Sequence, residues 1–199
     1  MAASETDIVN DALGRLGISP VMALTDSTKQ AQFANRFYES TRDEVLASHP
    51  WNFASKRAVL AQLATPPDFE WLYAYQLPTD NLRLLQLNGY DLGKVRDPWH
   101  IEGNRLLTDA EKAEVRYIAR VTDTTFYPAL FSEALSLKLA AKLCAPLTGR
   151  FDQPTALMQE YDKVTGPKAR LSDVFQQRDK RRMAWVDSDL VKSRVSGGF

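Results

Sequence analysis

The stretch Leu46-Ala47-Ser48-His49-Pro50-Trp51-Asn52-Phe53-Ala54-Ser55-Lys56-Arg57-Ala58-Val59-Leu60 is where one hydrophobic period ends and another begins. Upstream of it, Ala34, Phe37, Tyr38, Thr41 and Val45 recur at three- and four-residue steps, the mark of a helix face. Pro50 has no N–H to donate and disfavours helical backbone at His49, so the helix stops there. Downstream, Ala58, Leu60 and Gln62 alternate with Val59, Ala61 and Leu63, the two-residue period of a strand. Helix gives way to sheet across the aromatic corner Trp51-Asn52-Phe53, a place where a large ring fills the core.

Working back toward the N-terminus, Ser4 with Asp7 three residues on reads as a capping box. Ile8, Ala12, Leu13 and Leu16 share one face of a helix over residues 5 to 16, with Asn10, Asp11 and Arg15 on its polar side. Gly17 suits the left-handed position past the helix end, with Ile18 folding back as its apolar partner. Ser19-Pro20 opens a loop. Ser27 and Gln30 then read as a second capping box for the long helix. Lys29, Arg36, Glu39, Arg42, Asp43 and Glu44 read as the solvated face of that helix, with i,i+4 ion pairs.

The middle third is β-prone. Trp71 to Leu77, Leu82 to Leu87 and Val115 to Val121 read as strands. Gly103-Asn104 between Trp99-His100-Ile101-Glu102 and Arg105-Leu106-Leu107-Thr108 reads as a two-residue hairpin turn. Helix returns at Pro128, read as a first helical residue. The most apolar helix of the chain comes next, holding Cys144 and ended by Pro146 and Gly149. Asp152 caps the next. Leu157, Tyr161, Val164, Lys168, Leu171 and Phe175 keep a heptad spacing in phase across Gly166-Pro167, which predicts one kinked helix burying a single seam. The expected fold class is α+β, mainly α. It comprises a four-helix-type bundle (1–53 and 123–180), an inserted small antiparallel β module (54–122) and an extended C-terminal tail (181–199).

The 199 residues carry 25 lysines and arginines against 25 aspartates and glutamates, so no overall basic excess points to a general nucleic-acid binder. A lone cysteine fits a reducing compartment. The first residues lack the pattern of a signal peptide, which predicts synthesis in the cytoplasm. Candidate chemistry is sparse. His49, His100 and Cys144 do not have zinc-ligand spacing. No phosphate-binding glycine loop or nucleophile elbow is present. Glu111, Glu114, Asp187 and Asp189 read as solvated acids. Of the four tryptophans, Trp99 is the one expected at the surface. The segment Arg178 to Arg194 carries six basic residues against three acids, interleaved with Met183, Trp185 and Val186. That combination suits docking on an acidic groove through charge and one buried ring, or contact with phosphates.

The first third also carries a resemblance. Ala12-Leu13-Gly14-Arg15-Leu16-Gly17, then Phe37 to Leu46, then His49-Pro50-Trp51-Asn52-Phe53-Ala54 with Arg57 and Leu60 beyond, stand in the order of the head-to-tail connector proteins of tailed bacteriophages, the adaptor or tail tubular protein A family. The chain resembles that family in element order over nearly its whole length. The resemblance makes Leu13, Gly17, Arg42, Pro50, Trp51, Phe53 and Arg57 structural motif positions, with no catalytic residue, cofactor or metal. It implies a virion protein that forms rings, commonly dodecamers, beneath the portal protein and against a tail or nozzle protein. The tail residues Arg178, Lys180, Arg181, Arg182, Trp185 and Val186 would dock on the portal. DNA would pass through the lumen during ejection without sequence-specific binding. The alternatives are a helical nucleic-acid-binding protein that uses the basic C-terminal segment, and another tail-completion protein.

Overall fold

The computed structural model describes residues 4–91 and 98–176 and shows an α+β fold with two small antiparallel sheets. Helix α1 (Glu5–Arg15) starts at the capping box read from the sequence. Asp7 N donates to Ser4 Oγ at 3.1 Å, and Ser4 N donates to Asp7 Oδ2 at 2.8 Å. It ends in a Schellman turn: Gly17 has φ 70°, and the Ile18 N–H reaches Leu13 O at 3.0 Å. Helix α2 (Lys29–Ser48) is capped one residue later than the sequence suggested. Thr28 Oγ1, not Ser27, accepts from Ala31 N, because the cap must lie three residues before the N–H it serves. The helix ends at His49, whose backbone is extended before Pro50.

Strands β1 (Ser55–Val59), β2 (Tyr73–Gln76), β3 (Asn81–Leu87), β4 (Tyr90–Asp91), β5 (Trp99–Glu102), β6 (Arg105–Thr108) and β7 (Glu114–Ala119) come next. They form one sheet in the order β1-β7-β3-β4 and another in the order β2-β6-β5, every pair antiparallel. The β5–β6 hairpin turns at Gly103-Asn104 as its sequence implies. Strand β4 has no counterpart in the sequence reading; Asn88-Gly89 is a two-residue hairpin turn between Leu87 and Tyr90, both residues having positive φ. The four-stranded sheet lies between two cores. Ile118 and Leu85 belong to the cluster shared with the helices. Leu84, Leu87, Val115 and Tyr117 face the other way, onto Tyr75, Leu77 and Leu106 of the three-stranded sheet.

Helix α3 (Ala129–Thr148) is the centre of the helical layer and packs against α1, α2, α4 (Gln153–Glu160) and α5 (Gly166–Phe175). Pro128 is its cap rather than its first residue. Pro146 lies inside the helix, which runs on to Thr148 before Gly149 ends it. Between α4 and α5 the chain makes a π turn, Tyr161–Thr165. Pro167 has no N–H for the ordinary helical bond, and the wider turn accommodates it. A Cβ on Gly166 would sit 2.7 Å from Tyr161 O, so the turn needs glycine there. Tyr161, Thr165, Gly166, Ala169 and Asp173 are buried, while Val164, Leu171 and Phe175 are exposed. The helix is continuous across Gly166-Pro167, but the heptad seam is not. A π turn holds one residue more than an α turn, which rotates the downstream helix face by roughly 100°. No described helix is long and apolar enough to cross a membrane.

Candidate assembly surface

Pro50, Trp51 and Phe53 lie at the helix-to-sheet corner. Pro50 enforces the extended chain at His49. The Trp51 ring is buried, its Nε1 donating to Val45 O at 2.9 Å and its edge set against Phe131 at 5.1 Å between centroids. Phe53 packs on Phe131 and Tyr127. Leu13 is buried under the same core, and Gly17 closes the end of α1. Arg57 projects from the exposed side of β1.

The corner is clamped to α5 by Asp173, a residue that nothing in the sequence singles out. Asp173 Oδ1 accepts from Asn52 N at 2.9 Å, and Asp173 O accepts from Asn52 Nδ2 at 2.6 Å. His49 Nε2 lies 3.4 Å from Asp173 Oδ2, at the edge of hydrogen-bond distance. Burial pushes the His49 imidazole below its ordinary pKa. Asp173 pulls the other way without reversing the sign, and Arg170 and Arg83 push it further down. His49 is therefore neutral at pH 7, and the carboxylate is held mainly by the Asn52 N–H. Thr165, Ala169 and Asp173 follow one another at four-residue steps on the face that the π turn brings inward.

Within the trio Arg42, Asp43 and Glu44, read as a solvated face, Glu44 is exposed, Asp43 is half-buried and Arg42 is a correction to that reading. Arg42 is 3% exposed, with its Nε 2.9 Å from Asp43 Oδ1. Asp43 Oδ2 takes Arg120 Nε at 2.7 Å from the chain beyond β7. The Glu44 oxygens each take one lysine of α3, Lys138 and Lys142, at 2.6 Å. Partial burial of Glu44 pushes its pKa up, and the two ammonium groups outweigh that, holding it below the ordinary carboxylate value. Asp43 and Glu44 thus tie α2 to the chain just beyond β7 and to α3, with the buried Arg42 set against Asp43. The signal is Lys138 and Lys142 in the most apolar helix, since a charge there needs a partner.

Several large apolar side chains of the described chain face outward. Val164, Leu171, Val174 and Phe175 form an exposed stripe on the α4–α5 rod, Phe175 at 79% exposure, with Lys168 beside it. A second apolar patch, Phe69 and Leu72, lies in the loop before β2 in the three-stranded sheet. Phe151 is exposed at the turn before α4. Trp99, expected at the surface, is half-buried against the inter-sheet core because its strand pairs with β6. His100, Glu111 and Glu114 are exposed or half-exposed, and Cys144 is buried. Among the described residues no group of three His, Cys, Asp or Glu side chains is placed to hold a metal ion. Arg178, Lys180, Arg181, Arg182, Trp185 and Val186, with Asp187 and Asp189, lie outside the described residues. No protein-family model and no curated protein sequence matches the chain.

Proposed function

We propose that this chain is a non-enzymatic structural subunit of a tailed bacteriophage, a head-to-tail connector that assembles as a ring below the portal and forms part of the DNA conduit. In this reading α1, α2, α3 and the α4–α5 rod act as a four-helix bundle that packs laterally, and residues 178–186 dock on the portal. The single observation that carries the reading is the outward stripe Val164, Leu171, Val174 and Phe175. Apolar side chains on one helix face, next to a rod whose opposite face is buried, suit a contact with another chain. A ring contact is heterologous and needs two different surfaces on each copy. The Phe69–Leu72 loop, in a different layer of the fold, supplies the second. The ordering of charge fits the same reading, since Arg42, Asp43, Glu44, Lys138 and Asp173 are all used within the chain to hold elements together.

The test is negative-stain imaging of the chain mixed with a portal protein from the same genome. Rings stacked on the portal are expected from the full chain. A truncation at residue 180 is expected to keep its fold and lose docking. A full chain that stays dispersed beside intact portals would overturn the proposal.

A further inference from the structure

The exposed end of the four-stranded sheet carries a feature that neither the helical core nor a ring contact explains. In the register of the sheet, Arg57 of β1 lies directly opposite Arg116 of β7, and Arg116 lies opposite Gln86 of β3. These residues share the face on which Ile118, two residues along from Arg116, meets the helices. The row therefore sits one step beyond the helical layer, toward solvent. With Glu114 and Gly89 it lines an open groove of about 320 Å³.

What sets Arg57 and Arg116 apart is that they face each other across one groove. Among the described residues Arg15, Arg42 and Arg120 are in ion pairs, and Arg83 donates to Ala47 O at 3.2 Å. Among the same residues neither Arg57 nor Arg116 has a side-chain hydrogen bond or ion pair, and Arg116 Nε is buried without an acceptor. Arg36, Arg105, Arg150 and Arg170 also lack a side-chain hydrogen bond or ion pair among the described residues. Glu114, the carboxylate among the described lining residues, is taken by Lys112 Nζ at 3.0 Å. Like charges directly opposite on neighbouring strands destabilise a sheet, and a buried donor without an acceptor adds to the cost. Both costs vanish if an anion sits between the two arginines.

We propose that this groove is a binding site for a phosphate-class oxyanion held between Arg57 and Arg116. A carboxylate has two oxygens and satisfies one guanidinium fork; the oxygens of a phosphate group can serve two forks at once. The groove volume is at the lower end of the ~300–1,000 Å³ range of small-molecule sites, enough for a phosphate with a compact substituent. The phosphate can be free, on a small molecule, or part of a nucleic-acid backbone. The proposal does not rest on the ring-subunit reading.

The experiment uses the full chain. Its thermal midpoint is followed in inorganic phosphate against chloride at equal ionic strength, then calorimetric titrations are run with inorganic phosphate, adenosine monophosphate, a short DNA duplex and a glutamate-rich peptide. Phosphate is expected to raise the midpoint, as any ligand that binds only the folded state does. R57Q and R116Q are each expected to weaken phosphate binding by about tenfold or more, the loss of a charged hydrogen-bonding partner. The double variant is expected to abolish binding, with an unchanged or higher midpoint in chloride because the repulsion is gone. R57K and R116K keep the charge without the fork and are expected to fall between. Binding of phosphate and the monophosphate without the duplex identifies a small-molecule ligand. Tighter duplex binding that falls steeply with salt identifies a nucleic-acid backbone. No phosphate response, binding that survives the double substitution, or binding of the acidic peptide in place of phosphate would overturn the proposal.

Discussion

Helix α3 and the α4–α5 rod are both rich in apolar residues, and they place them oppositely. From Ala134 to Cys144 almost every side chain of α3 is buried, including Lys138, because helices surround it and its charges find Glu44 on α2. In α5 only Gly166, Ala169 and Asp173 are buried, while Leu171, Val174 and Phe175 face outward. The difference comes from two residues. Gly166 and Pro167 permit and require a wider turn, and that turn swings a small-residue face inward and a large-residue face outward. Apolar content alone therefore does not say which side of a helix meets the core. On the proposed function, α3 holds the subunit together and α5 joins it to its neighbour.

The sharpest way to break this comparison is on the buried side. Trp51→Ala removes the ring that packs α3 against the corner and strips Val45 O of the indole donor. It is expected to cost about 3–5 kcal/mol in denaturant unfolding. A loss below about 1 kcal/mol would mean that the corner does not brace the core. Gly166→Ala sets a methyl group against the Tyr161 carbonyl and is expected to cost about 1–3 kcal/mol, with the change in amide exchange centred on residues 161–170. Unchanged stability would show that the π turn is not needed. Asp173→Ala takes away the carboxylate that accepts from the Asn52 N–H, at an expected cost of about 1–3 kcal/mol. Exchange should rise in α5 before it rises in α3.

The pH response of the same clamp is smaller. Burial lowers the His49 pKa from 6.5, so the unfolded chain binds the proton more readily than the folded one. The contribution of His49 to stability is therefore complete above pH 6.5 and is lost as pH falls through the lowered folded value. Denaturant midpoints are expected to drop as pH falls below 6.5 in the natural chain and to drop less steeply there in His49→Gln. Equal slopes would contradict the sign. Asp80 and Glu44, whose pKa values are lowered, act in the same direction only at more acidic pH.

How much of the molecule is legible in the sequence divides along the same line. Helix α1 with its box and its Gly17 turn, the stop at Pro50, the buried Trp51 and the Gly103-Asn104 hairpin all depend on chemistry within a few residues, and each can be read directly. Asp43 and Glu44 mislead because their partners lie beyond β7 and on α3, far along the chain. The seam from Leu157 to Phe175 misleads for a different reason. Its spacing is correct for an α-helix throughout, and a five-residue π turn changes the phase without changing the pattern. The clamp at Asp173 is hidden by that same shift, and the row Arg57–Arg116 needs strand register, which spacing does not give.

The smallest effect on folding carries the largest weight for function. Leu171→Ser with Phe175→Ser changes exposed side chains, and each is expected to move stability by no more than about 0.5 kcal/mol. The decisive measurement is the mass of the portal complex, by mass photometry, with the natural chain and with this double variant. The account predicts a portal carrying a full ring of natural subunits, and a folded variant that fails to complete one. A variant that assembles as the natural chain does would contradict it.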